Sequence, residues 1–312
     1  MSSPAPSFTF AEETPKRMDL ILRCGCEFIY ESAGPSPIFL TLKLRQRPGQ
    51  FIYAEQLNFD PVHTVREYED AHGNIIHCHQ LGAGVNRVRY DSLVRVSSEP
   101  ENAGTFAAPV RVEYLPVELL RYTLPSRYCD SDLLFQFAND HFSKLPPGVD
   151  QVQGICDWVH QNIEYRQFSG SPVTTAHDTL RQGYGVCRDF AHLGVALCRC
   201  LNLPARYVTG YLPDIGVVDP GTPNDFHAYF QVWLGNQWHV FDARFNQRRI
   251  GRVHIAQGND AVDGAFATVF GAVQWQRFDV WAYQIRPEHA NLERPVDLAD
   301  RLCGTTQVII SA

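Results

Sequence analysis

The sequence predicts an α+β protein in which an N-terminal antiparallel β-sandwich domain precedes an α+β core. The first sign is period-two alternation: Leu20, Leu22, Cys24, Cys26, Phe28 and Tyr30 fall in phase, and Ile38, Leu40, Leu42 and Leu44 repeat the pattern. Such alternation marks half-buried strands. The second is a change of period beyond residue 130, where Leu133, Leu134, Phe137, Ala138 and Phe142 take helical spacing. Alternation returns after residue 205, and helices followed by an antiparallel sheet make an α+β order. A chain of 312 residues has room for both parts, and three segments are expected: 1–17, 18–109 and 110–312.

Residues 1–17 are rich in Pro and Ser and are read as a loose N-terminus. After the two alternating runs, further strands are expected at 51–57, 62–69, 75–81 and 86–96, with His72-Gly73-Asn74 as a hairpin turn. The stretch SSEPENAGTFAAP (97–109) is polar and aperiodic and reads as a linker. Ser131 is placed to cap a helix over 132–142, and a second helix carries Ile155, Trp158, Val159 and Ile163 after Pro146-Pro147-Gly148. Thr175 and Asp178 have capping-box spacing for a short helix ending at Gln182. Gly183 and Gly185 interrupt the chain, and a helix beginning near Cys187 buries Phe190, Leu193, Gly194, Leu197 and Leu201 before Asn202 and Pro204 close it. Strand signals follow at 206–212, 226–244, 250–256, 273–285 and 306–311, and the last two are assigned to the 110–312 core.

Cys187 then stands in the first turn of its helix, where unpaired N–H groups and the helix dipole favour an anion. Downstream, FHAYFQVWLGNQWHVFD (226–242) alternates around Gly235-Asn236, a pair suited to a two-residue hairpin. If Leu234 faces Gln237, Tyr229 faces Asp242 and His227 lies two residues along on the same face. Diagonal neighbours of this kind are about 7–8 Å apart, within reach of an imidazole and a carboxylate. Cys187, His227 and Asp242 therefore form a candidate nucleophile, base and orienting carboxylate, the arrangement that activates a thiol. Asp225 is the rival carboxylate, but it would have to reach backward across the strand.

These residues lie in longer segments that resemble a known family. LPSRYCDSD (124–132), GVCRDFAHLGVALCRCLNLPARYVTGYLP (185–213), the hairpin FHAYFQVWLGNQWHVFDARFN (226–246) and GRVHIAQGNDAVDGAF (251–266) are similar to bacterial transglutaminase-like proteins, which join an N-terminal β domain to a transglutaminase-like core. The resemblance implies a papain-like α+β core with Cys187 as nucleophile, His227 as base and Asp242 as its partner. It also implies thiolate attack on an amide or ester carbonyl to give a thioester. Water then gives hydrolysis, and an amine gives transamidation. The residues after 270 are too few for the extra β domains of eukaryotic-type transglutaminases, so a peptidase or amidase acting on a peptide or small amide is expected ahead of transamidation. A scaffold that keeps the fold without the activity would be expected to lose Cys, His or Asp, and all three are present.

The chemistry also needs donors for the oxyanion. The N–H of Cys187 is the natural first donor, and Gln182 or Tyr165 is a candidate for the second. Arg188, Asp189 and His192 are read as structural members of the helix, and His239 shares phase with Phe241 and so stays outside the triad. Asp260 and Asp263 could wall the cleft or simply make a turn.

A net charge of −7 and a pI near 5.9 provide no electrostatic attraction for nucleic acid or anionic membranes. No apolar run approaches a spanning helix and no signal pattern opens the chain, so a cytoplasmic location is expected. Nine cysteines form no disulfide framework. Cys24 with Cys26, and His77 with His79, are read as strand residues in apolar faces and not as zinc ligands, because no C-x2-C pair exists. No EF-hand-like loop calls for calcium, and the chemistry requires no cofactor.

Overall fold

The computed structural model describes residues 18–62, 64–101, 107–218, 220 and 223–302. The expected loose N-terminus and the expected strand at 306–311 lie outside the described residues. Six strands come first: β1 (Leu20–Ser32), β2 (Ser36–Leu40), β3 (Gln50–Asp60), β4 (Arg66–Glu69), β5 (Ile75–Leu81) and β6 (Gly84–Val96). The middle of the chain holds α1 (Phe135–Phe142), α2 (Val149–Asn162), β7 (Glu164–Tyr165), α3 (Ala176–Gln182), β8 (Tyr184–Gly185) and α4 (Cys187–Cys200). It ends in β9 (Ala205–Tyr211), β10 (His227–Leu234), β11 (Gln237–Phe241), β12 (Val253–Gly258), β13 (Ala267–Val269) and β14 (Val273–Gln284).

The strands build two antiparallel sheets of order β14-β1-β6-β3 and β13-β2-β5-β4, and a third of order β11-β10-β9-β12. The alternating side chains Leu22, Cys24, Cys26, Phe28 and Tyr30 of β1 meet Ile38, Leu40 and Leu81 of the second sheet in one core. One expectation is corrected here. The late strand at 273–285 does not accompany the 110–312 core: it is β14, which pairs with β1 along almost its whole length, and the short β13 before it pairs with β2. The reason is visible in β14 itself, where Val280 and Ala282 enter the core of the two N-terminal sheets while Trp281 and Tyr283 pack in a cluster on the other side. β1, paired with β14 on one side and β6 on the other, is thereby an interior strand.

A second correction concerns Ser131. Residues Ser131–Leu133 form a 3-10 turn, and α1 starts at Phe135 with no side-chain cap. The Thr175 capping box is present, with Asp178 N–H donating to Thr175 Oγ1 at 3.2 Å and Thr175 N–H to Asp178 Oδ2 at 3.1 Å. Gly183 then takes φ of 73°, which ends α3.

Helix α4 is the central element. Every residue from Asp189 to Cys200 is buried, so it is enclosed all round instead of presenting a single apolar face. It packs on β9 and β10 with α1, α2 and α3 around it. Gly194 permits the close approach to the sheet: a Cβ there would lie 2.5 Å from Phe230 Cε1.

Candidate active site

Cys187 is the first residue of α4, following Val186 in extended conformation. The Asp189 carboxylate turns back to accept from Val186 N–H at 2.9 Å, fixing the entry to the helix. Burial pushes the Asp189 carboxyl up, and the Val186 N–H and Arg188 work against it. The turn requires glycine at 185, because a Cβ there would stand 2.7 Å from Asp189 Cβ. Next to it, Glu164 N–H donates to Gly183 O and Arg166 N–H to Gly185 O, both at 2.9 Å. This short parallel pairing sets Tyr165 opposite Gly185. Cys187 itself is half-buried against Ala191, Tyr207 and Ala228.

The β10–β11 hairpin turns at Gly235 and Asn236 with φ of 56° and 67°, and Leu234 faces Gln237. That register carries Asp242 to His227, with Nε2 and Oδ2 2.7 Å apart. Asp242 is held from behind: its Oδ1 accepts from Arg244 N–H at 3.1 Å and Phe245 N–H at 3.3 Å, and its backbone oxygen accepts from Asn246 N–H at 2.8 Å. With Asp242 ionised, Nε2 is the donor and Nδ1 is left for another partner. Cys187 lies close enough to the ring to raise its proton affinity. Burial opposes the imidazolium, but Asp242 and Cys187 outweigh it and push His227 up to about 9. Burial likewise opposes ionisation of Asp242, and His227 with Arg252 overcomes it, holding the carboxyl well below the usual range.

Arg252 and Glu101 were not singled out from sequence. Arg252 Nη2 donates to Asp242 Oδ2 at 3.0 Å, and Nε donates to Glu101 Oε1 at 2.5 Å. The only sequence signal was an arginine at the start of a strand in the matched segment GRVHIAQ, and Glu101 sat in what read as a linker.

The remaining candidates separate clearly. Gln182 Nε2 donates to Tyr184 O at 2.7 Å on an exposed surface, so that donor is engaged by the backbone two residues on. Tyr165 lies near Cys187: burial first, then the neighbouring thiol, pushes its hydroxyl up, while Arg244 stacks 3.6 Å over its ring. Asp225 is exposed and accepts from Phe226 N–H at 2.7 Å. His239 bonds to Leu234 O at 3.1 Å, remote from Asp242 in phase. His192 is sandwiched between Tyr128 and Tyr207, and its Nε2 accepts from Ala261 N–H at 3.1 Å. Burial, with Arg188 and Arg199, keeps it neutral. Asp260 accepts from Tyr128 and Val262 N–H, and Asp263 from Asn259 N–H, so both hold the 258–264 turn. Cys24 and Cys26 are buried on β1, where burial pushes the Cys26 thiol up to about 12.

A thiol on a helix N-terminus, facing an imidazole–carboxylate pair on an antiparallel sheet, is the arrangement of a papain-like α+β protein. Comparison with known proteins narrows this. A model of the transglutaminase-like superfamily matches residues 136–243. A solved structure from Cytophaga hutchinsonii, provisionally described as a cysteine protease, is 31% identical with a TM-score of 0.78, over 86% of this chain and 91% of that one. An uncharacterized protein of Mycobacterium leprae is 34% identical over 116 residues, which is 36% of this chain and 42% of that protein. One from Mycobacterium tuberculosis is 29% identical over 220 residues, 64% of this chain and 67% of its own length. The chain belongs to the transglutaminase-like superfamily. Among the described residues, no helix is long and apolar enough to cross a membrane.

Proposed function

We propose that this chain is a cysteine hydrolase of amide bonds, a peptidase or amidase, working through a Cys187 thioester. The observation that carries the reading is the buried His227–Asp242 pair at 2.7 Å, with Cys187 in reach of the same ring at the start of α4. In the resting state a Cys187 thiolate faces protonated His227. The thiolate attacks the carbonyl carbon, and the oxyanion is met by the N–H of Cys187 and the hydroxyl of Tyr165. His227 gives its proton to the leaving amine as the C–N bond breaks, leaving a thioester. Water then attacks as His227 takes its proton, and the acid departs from the regenerated thiolate. The relationship to a protein described as a cysteine protease favours hydrolysis. Transamidation differs only in the acceptor.

The test is the pH dependence of iodoacetamide alkylation at each cysteine, followed by mass spectrometry in the wild type and in His227→Ala. Cys187 is expected to react fast near pH 6 and to slow in the variant. Cys198 and Cys200 are internal references, since burial pushes the Cys200 thiol up to about 12. If Cys187 reacts no faster than these two, the reading fails. Amide substrates assayed with and without added amine then separate hydrolysis from acyl transfer.

A further inference from the structure

Arg252 is a side chain only 4% exposed, fixed where β12 begins. Its Nη2 donates to the same Asp242 oxygen that receives His227, at 3.0 and 2.7 Å respectively. Its other bonds go to Glu101, from Nε at 2.5 Å and from Nη2 at 3.3 Å, and its guanidinium lies 4.2 Å over the Tyr229 ring. Glu101 and the ring would already suffice to seat a buried arginine. The additional bond to Asp242 sets a second cation on the carboxylate that His227 depends on.

We propose that Arg252 is a positioning residue that holds Asp242 against His227 and weakens the hold of that carboxylate on the imidazolium proton, and that Glu101 sets how far it does so. The proposal rests on the thiol–imidazole reading above. A buried carboxylate raises the proton affinity of the imidazole paired with it and so makes the imidazolium a weaker acid toward a leaving amine. A guanidinium on the shared oxygen draws charge away from the ring, and Glu101 on its far side returns part of it. The other charged or titratable groups around His227 are Cys187 from α4, Asp225 just before β10, and Arg244 in the turn after β11, which stacks on Phe245 beside the His227 ring. None of these occupies Oδ2 of Asp242. Glu101 comes from the segment joining the N-terminal sheets to the core, so the chain connection itself supplies the last charge of the series.

The contacts in series put Glu101 within about 9 Å of His227, where loss of one charge in an effective dielectric of about 20 changes a pKa by about one unit. The test uses the full chain and the variants Glu101→Gln, Arg252→Gln and Arg252→Lys. The His227 midpoint is read by NMR of 13C-labelled histidine, assigned by difference against His227→Gln, and the alkylation profile of Cys187 is recorded beside it. Glu101→Gln is expected to lower the midpoint by about one unit, and Arg252→Gln to raise it by about one to two, from the same Coulomb estimate. Arg252→Lys, which restores the charge, is expected to bring it back towards the wild type. Midpoints within about 0.2 unit of wild type in both glutamine variants overturn the proposal. If Arg252→Gln does not fold, the near-isosteric Glu101→Gln decides alone. Should His227→Ala leave Cys187 alkylation unchanged, the thiol–imidazole reading itself fails, an outcome distinct from the midpoint result.

Discussion

Replacing His227 by Gln removes a titration that the folded state favours, and its size follows from the site. Asp242 and Cys187 push His227 up to about 9, against about 6.5 for an unperturbed imidazole, and the difference is worth about 3 kcal/mol. The folded-state value is the higher one, so the folded protein binds this proton more tightly than the unfolded chain. The stabilisation is therefore fully present below about pH 6.5 and is lost as pH rises through about 9. Buried His192 and His254 are held well below their ordinary value and contribute in the opposite sense at acid pH. They are common to both proteins and cancel in the difference. Urea unfolding of wild type and His227→Gln at half-unit steps from pH 6 to 9.5 is the assay. The stability gap is expected to shrink by about 3 kcal/mol across that range, and curves that stay parallel would refute the charge assignment.

Three further outcomes are expected. Gly185→Ala forces its Cβ onto Asp189 and frees the Val186 N–H, so Cys187 alkylation should fall with a destabilisation of about 1–3 kcal/mol; unchanged alkylation kinetics would show that this turn does not set the thiol. Gly194→Ala puts a methyl 2.5 Å from Phe230 Cε1 and should cost about 1–3 kcal/mol in urea unfolding, with the alkylation pH profile keeping its shape. Tyr165→Phe removes the proposed oxyanion hydroxyl and should lower kcat on an amide substrate about 10²-fold while Cys187 alkylation stays at the wild-type rate. Equal losses in both measurements would instead make Tyr165 a structural wall.

Much of the site was legible because its parts are local. A helix start fixes where Cys187 stands, and a two-residue turn fixes the hairpin register, so His227 and Asp242 could be paired by position alone. The Thr175 capping box is local for the same reason. What could not be read was non-local. Arg252 and Glu101 are 151 residues apart, and neither has a neighbour in sequence that announces the other. β14 alternates like any half-buried strand, but alternation names a face and not a partner, so its pairing with β1 was invisible. Gln182 was reasonable by distance along the chain, yet its side chain is spent on Tyr184 two residues away, a bond that depends on the exact turn.

The pairing of β14 with β1 alters what the N-terminal sheets are for. Their core does not stop at the third sheet: Phe226, immediately before His227, and Val253, immediately after Arg252, are both members of it. The Phe226 ring stacks on Phe266 at 4.7 Å and meets Tyr211, Phe278 and Phe28 at 5.3, 5.8 and 6.3 Å. Two of the charged groups around Asp242 are thus each anchored by an adjacent residue buried among the N-terminal strands. Glu101 reaches the second of these, Arg252, from the connecting segment. A fragment beginning at residue 110 would keep Cys187, His227 and Asp242 but lose Glu101 and the wall behind Phe226 and Val253. The base of the proposed triad is thus seated on a surface that supplies none of the three proposed members, and that seating matters because a base must be held still before its proton affinity has a defined value.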